Sequence, residues 1–198
     1  MCYMDAMPKL WSDTVLAHRE SVRNATLDAV AALVARSGLA SLTMSDIAQT
    51  TGIGRATLYK YFPDVQAVLQ AWHQREVSGH LRLFSSLAGG AGLPMDRLRQ
   101  ILTIHARNLS RHSGELVQML HGSGHVAHAW HHLTASLSAV IREGVTEGEI
   151  REDVEPDDLA NYCLSAVSGA FHVRSQAQVD QLVAVTLSAL GRPTMVST

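Results

Sequence analysis

The chain has 198 residues, 46% of them apolar and 17% charged, which is enough apolar side chain for a sizeable core in one or two small domains without disulfide or metal staples. A net charge of −2, from 16 Lys and Arg against 18 Asp and Glu, excludes a uniformly basic nucleic-acid coat and a charge-dominated disordered chain. The longest uninterrupted apolar stretch, Ala29 to Ala35, is far short of the roughly 20 residues of a membrane span. The N-terminus shows no apolar signal segment, and Cys2 and Cys163 have no CxxC partner, so the expectation is a soluble, cytoplasmic protein of a reducing compartment.

In chain order, no stretch sustains the period-2 alternation of a strand, whereas several show helical spacing. Val22, Ala25, Ala29, Val30, Leu33 and Val34 form one stripe that ends at Gly38, a C′ residue. Thr43 and Asp46 make a capping pair. The helix they open buries Ile47 and Ala48 and stops near Gly52, which is free to take a positive φ. Ile53 is placed to plug the corner, and a second helix runs from about Gly54 through Tyr61 with Leu58 and Phe62 facing inward. Two short helices joined by a Gly-containing turn are the helix-turn-helix pattern. Its outer face keeps Arg55, Thr57, Tyr59, Lys60 and Tyr61, cations and hydroxyls with no acid between Thr50 and Pro63. Further helices are expected over 64–87, 95–111, 115–120, 125–147, 157–174 and 179–190, with breaks at 89–94, 113–114, 122–124 and 148–156. The fold class is all-α, with eight or nine helices. Residues 1–62 hold six basic and five acidic side chains, and residues 63–198 hold ten and thirteen. Eight of those acids, between Glu143 and Asp158, read as a solvated helix end and linker.

On these residues the chain resembles the tetracycline-repressor (TetR) family of transcription regulators. The likeness runs from about Arg23 to Ala71 through TLDAVAAL and GLASLTMSDIAQTTGIGRATLYKYFP, and the TLYKYF hexad after a Gly-x-Gly-Arg turn is its most specific part. A softer likeness, VIREGVTEGEIREDVEPDDLANYCLSAVSGA from Val140 to Ala170, is similar to the helix, linker and penultimate helix before the family's dimerisation surface. The resemblance implies a DNA-binding domain over 12–62 and a helical ligand-binding and dimerisation domain over 63–198. It also implies a dimer that binds palindromic double-stranded operator DNA and releases it on binding a small-molecule effector. Carried over by position, Thr43 and Ser45 meet the DNA backbone. The helix opening at Gly54 presents Arg55, Ala56, Thr57 and Lys60 to base edges or phosphate, and Tyr59 and Tyr61 donate to phosphates. Family members often carry Lys three residues after the Phe; here that place is Val65, which implies a salt slope shallower by roughly 0.9 per lost contact.

In the C-terminal part, two amphipathic helices can pair with their symmetry mates as a four-helix bundle. The stripes that would do so are Leu159, Tyr162, Cys163, Ala166, Val167 and Ala170, then Leu182, Val183, Thr186 and Leu190. An effector cavity between helices would be lined by the few large aromatics and a histidine: Trp72, Phe84, His105, Trp130 and Phe171. The chain has eleven histidines, and His125, His128 and His132 share one helical face, with His121 joining if the helix is continuous and His131 pointing away. Neutral imidazoles at that spacing, with His105 or His112 as a further donor, are the pattern of a Zn, Cu or Ni site; a polar surface stripe, a polar cavity lining or core histidines are the other readings. No cofactor is required, and a metal-responsive regulator is the alternative to one that senses an organic ligand. An enzyme is not expected. There is no GxSxG elbow, no P-loop and no GxGxxG after a strand, and HGSGH and VSGAF lack the strand-to-helix setting of a nucleophile.

Overall fold

The computed structural model of the chain describes residues 9–39, 41–111, 124–173 and 175–191. Among these residues there are eight α-helices and one 3-10 turn, with no strand: α1 (Lys9–Ser37), α2 (Met44–Thr51), α3 (Arg55–Tyr61), α4 (Val65–Ala88), α5 (Pro94–Arg111), α6 (Gly124–Thr146), α7 (Pro156–Val167), the 3-10 turn Ser168–His172, and α8 (Gln176–Ser188). None of these helices is long and apolar enough to cross a membrane. The helix expected over 115–120 lies outside the described residues. The chain divides into two compact units, one up to Glu76 and one from Val77 onward, with α4 contributing turns to each.

In the first unit, Leu27, Val30, Leu33, Ile47, Leu58, Phe62, Val68, Leu69 and Trp72 form the buried core. The stripe from Val22 is therefore the part of α1 that packs, while the helix begins about three turns earlier with Val15 and Leu16 exposed. Gly38 closes α1 at φ 75° and its N–H reaches Val34 O at 2.9 Å, the left-handed exit that a Cβ would strain. Arg23 lies 5.3 Å above the Phe62 ring, and Arg75 pairs with Asp28 at 2.8 Å, so α1 is tied to both α3 and α4 by cations as well as by its apolar stripe.

The second unit is one continuous apolar core drawn from Phe84 of α4, Leu98, Ile101 and Leu102 of α5, Leu137 and Ile141 of α6, Leu164 and Val167 of α7, and Val183 and Leu187 of α8. The single helix expected over 157–174 is two pieces. α7 stops at Val167, Ser168 Oγ bonds back to Leu164 O at 2.9 Å, and the 3-10 turn carries the chain to a new cap. That cap is Ser175, whose side chain and backbone exchange hydrogen bonds with Gln178, so α8 starts at Gln176 rather than 179.

The acidic run is less free than its composition implies. Glu143 pairs with Arg97, Glu149 accepts the Met95 N–H at 3.3 Å, Asp157 contacts Ser138 and lies 3.5 Å from Arg142, and Asp153 takes a two-pronged bond from Arg151. The Arg151 hydrogen bonds hold the Asp153 carboxyl below the usual carboxylate range. Arg151 also donates its N–H to Leu190 O at 2.9 Å, which fastens the 148–156 linker to the end of α8.

Candidate nucleic-acid interface

The two-helix motif is held by local chemistry that the sequence spells out. Thr43 has extended φ and ψ of −124° and 158°; its Oγ1 accepts the Asp46 N–H at 3.2 Å, and Asp46 Oδ2 accepts the Thr43 N–H at 3.0 Å. Two otherwise orphaned amides at the start of α2 are thereby satisfied. α2 ends at Gly52 with φ 70°, and Thr51 Oγ1 steadies the turn by donating to Ile47 O at 2.8 Å and accepting the Ile53 N–H at 3.2 Å. α3 then starts after Gly54 and turns Leu58 fully inward, with Phe62 buried just after its last residue. With those two side chains fixed, the 3.6-residue period sends Arg55, Ala56, Tyr59 and Lys60 outward. All four are exposed, Tyr59 by 45%, and Thr57 and Tyr61 are half-buried. Ser45 is exposed at the second position of α2, beside the Thr43 cap.

Part of this face borders an open hollow of about 530 Å³ lined by Thr43, Ser45, Arg55, Tyr59, Val65 and Gln66 among others. The first turns of α2, α3 and α4 all contribute to it, and helix N-termini favour anions because their free amides and dipoles are positive. Two of those ends are already answered by carboxylates: Asp46 caps α2, and Asp64 Oδ1 accepts the Ala67 N–H at 2.7 Å at the head of α4. The positive charge left to meet a phosphate there is Arg55, with Lys60 farther along α3. Gln66, exposed at the head of α4, was not singled out from the sequence; Asp64 standing as a helix cap directly after Pro63 is the signal that places it.

Residues 27–72, which include this motif, match the family model of bacterial regulatory proteins, tetR family. Over that segment, which runs from within α1 to within α4, the chain is similar to the TetR family. Across both units the fold is that of solved TetR proteins. A TetR/AcrR-family transcriptional regulator from Thermobifida fusca is 22% identical with a TM-score of 0.70, covering 84% of this chain and 97% of that one. SmeT, the repressor of the Stenotrophomonas maltophilia efflux pump SmeDEF, is 19% identical with a TM-score of 0.62, covering 88% and 93%. Its triclosan complex aligns at 18% identity with a TM-score of 0.63, covering 89% and 95%. No curated protein sequence matches the chain.

In the second unit, the four residues expected to line a cavity there, Phe84, His105, Trp130 and Phe171, do not share one setting. Phe84 is buried with the His105 ring edge-on at 6.3 Å, whereas Trp130 and Phe171 are exposed and Trp72 is buried in the core of the first unit. His80 joins the pair, stacked on Phe84 at 6.2 Å, an i, i+4 neighbour that the sequence showed but composition alone did not highlight. Burial, and secondarily the charge of His80, lowers His105 to a pKa of about 4. Burial likewise pushes the Cys163 thiol up to about 12, which keeps it from acting as a nucleophile.

Most of the stripe expected at a dimer interface belongs to the chain's own core. Leu159, Cys163, Val167, Ala170, Val183, Thr186 and Leu190 are all buried there, because α7 and α8 pack against α5, α6 and each other. Of that set, Tyr162 is exposed and Ala166 and Leu182 are partly so, and Phe171 and Val185 join them on the outer side of the same elements. Of the histidine set, His128 and His132 are exposed on α6 with ring centroids 6.5 Å apart, and His131 is exposed as well. The side chain of His125, and His112 and His121, lie outside the described residues. Among the described residues no three His, Cys, Asp or Glu side chains gather as a metal-holding group.

Proposed function

We propose that this chain is a ligand-responsive transcriptional repressor that binds a palindromic operator as a homodimer in the cytoplasm and releases it when a small molecule occupies the second unit. The observation that carries the reading is the capped motif that turns Arg55, Tyr59 and Lys60 outward, the first two lining a hollow at the first turns of three helices. α3, opening at Gly54, enters the major groove, where Arg55, Ala56, Thr57 and Lys60 meet base edges or phosphate. Tyr59, Tyr61, Thr43 and Ser45 hold the DNA backbone. The units of work are a DNA-binding domain over 12–62 and a ligand and dimer domain over 63–198. The fold shared with SmeT, a repressor solved with triclosan, supports an effector-binding second unit.

A dimer sets two copies of α3 about 34–36 Å apart, one turn of B-DNA. The surface that remains for a second copy is the outer side of α7, the 3-10 turn and α8 at Tyr162, Ala166, Phe171, Leu182 and Val185. An effector that moves the population from 99:1 operator-competent to the reverse must favour the released state by roughly 5.5 kcal/mol.

The test is a selected operator with a symmetric footprint, titrated with Tyr59→Ala and Lys60→Ala proteins. Loss of footprint in both supports the assigned face, and binding unchanged by both refutes it. Val185→Glu is expected to give monomers by light scattering, and a persistent dimer places the interface elsewhere.

A further inference from the structure

Among the described residues the second unit leaves four buried side-chain nitrogens without a hydrogen-bond partner: Nε and Nη2 of Arg97, Nε of Arg107 and Nε2 of His105. The two arginines stand beside the carboxylates of Glu143 and Asp180, whereas the ring packed on His105 is aromatic. His105 projects from α5 with its Nε2 fully buried and without a hydrogen-bond partner among the described residues. Beside it stand Phe84, edge-on, and behind Phe84 the stacked ring of His80, both on α4. Phe84 sits in the apolar core with Leu98, Ile101, Leu102 and Ala106 of α5. Buried polar atoms are paired in native structures almost without exception, so an orphan in an aromatic and aliphatic setting asks for a group from outside the chain.

We propose that His105 is the polar anchor of the effector site, and that the effector class is a neutral, largely apolar molecule carrying a hydroxyl group, an alcohol or a phenol. The proposal rests on the reading of the second unit as effector-binding. A neutral imidazole offers one N–H and one lone pair, and its tautomer decides which of them Nε2 presents. A hydroxyl both donates and accepts, so it pairs with Nε2 in either tautomer. The flat face and edge of Phe84 suit an apolar or aromatic body beside that hydroxyl. A carboxylate only accepts, so it is held to the Nε2–H tautomer, and to gain an ion pair it would have to draw a proton onto His105. With its pKa at about 4, that state is disfavoured about a thousandfold at pH 7, tenfold for each pH unit. A cationic amine only donates, so it is held to the tautomer that presents the Nε2 lone pair, and the neighbouring charge that acts on His105, that of His80, repels it.

The experiment uses the full chain labelled with ¹⁵N-histidine and three probes of one ring size: phenol, toluene and benzoate. Phenol is expected to shift the His105 ring resonances saturably, and to bind roughly tenfold or more tightly than toluene, the measure of one buried polar group left unpaired. His105→Phe, which keeps a ring and removes both nitrogens, is expected to bind phenol and toluene alike. The proposal is overturned by equal affinity of wild-type protein for phenol and toluene, by tightest binding of benzoate, by phenol shifts that spare His105, or by no saturable phenol binding. The wild-type resonances decide the matter even where the variant fails to fold. Operator binding of the same free protein is measured in parallel. Its loss would sink the repressor reading, whereas intact operator binding with no phenol response would sink only the effector class.

Discussion

Acid should unfold this protein partly through one histidine, and the size of the effect follows from the burial of His105. In the unfolded chain its pKa is the ordinary 6.5, and in the folded chain it is about 4. Below pH 6.5 the unfolded state takes a proton that the folded state refuses, so stability falls as pH drops and the loss is complete once pH passes below the folded value. A difference of about 2.5 pKa units corresponds to roughly 3 kcal/mol, with a steepest slope of about 1.4 kcal/mol per pH unit between pH 6 and 4.5. Carboxylates and other histidines titrate in the same range, so the measurement is a comparison. Urea unfolding followed by circular dichroism at pH 7.5, 6.5, 5.5 and 4.5 is run on wild type and on His105→Phe. The wild type is expected to lose about 2.5 kcal/mol more than the variant across that window, with the two curves converging to parallel toward pH 7.5. Curves that stay parallel down to pH 4.5 would refute the reasoning, because a His105 that charges freely when folded contributes no such slope.

Arg97 is buried to 5% exposure; it donates to Ala88 O and Gly90 O at 2.7 and 3.2 Å and lies 2.5 Å from Glu143, out of line for a hydrogen bond, whose side chain is 45% exposed. Glu143→Gln strands a buried guanidinium and is expected to cost about 3 kcal/mol. Arg97→Met leaves a carboxylate that water can reach and is expected to cost less, and denaturant midpoints for both variants and the double variant read the difference. Thr43→Ala removes the α2 capping box and is expected to cost about 1 kcal/mol in thermal unfolding while weakening operator binding. In a Cys2→Ser background, Cys163 is expected to stay unreactive toward a disulfide reagent at pH 8 until denaturant is added.

The first unit was legible in the sequence because its signals are local. A cap, a left-handed glycine and two inward side chains fix the motif within about twenty residues, and Thr43, Gly52, Leu58 and Phe62 stand where their chemistry puts them. The second unit was legible in its helices but not in their facing. Val167 and Val185 are equally plausible members of an apolar stripe, yet one is fully buried and the other 67% exposed. Which side of α7 and α8 meets the core depends on α5 and α6, separate elements of the chain, and periodicity alone carries no such information. The aromatics failed as cavity markers for a similar reason. Trp130 is large and apolar, but α6 turns it outward because Leu133 and Leu137 already occupy its inner face. Cap positions also escaped where the cap was Ser175 with Gln178 rather than an acid.

Two glycines show how much of the energetics lies in such non-local placement. Both Gly79 in α4 and Gly144 in α6 sit inside helices, where Ala is worth about 1 kcal/mol more than Gly. Propensity alone thus predicts the same gain for Gly79→Ala and Gly144→Ala. A Cβ at Gly79 meets only the far end of Arg82, at 4.0 Å, so the gain survives and the variant is expected to be stabilised by roughly 0.5–1 kcal/mol. A Cβ at Gly144 would stand 2.6 and 2.9 Å from Cδ1 and Cγ1 of Ile150 and 3.1 Å from Cβ of Pro94. Ile150 is fully buried, and the turn behind it is fixed by the Glu149 and Ile150 amides, which both donate to Gly144 O. The side chain cannot swing away without moving that turn. Overpacking of this kind costs about 1–3 kcal/mol, which outweighs the propensity gain, so Gly144→Ala is expected to be destabilised by up to about 2 kcal/mol. Thermal midpoints measured side by side should move in opposite directions. A rise in both would mean that the 148–156 linker yields where its hydrogen bonds to α6 and α8 say it holds.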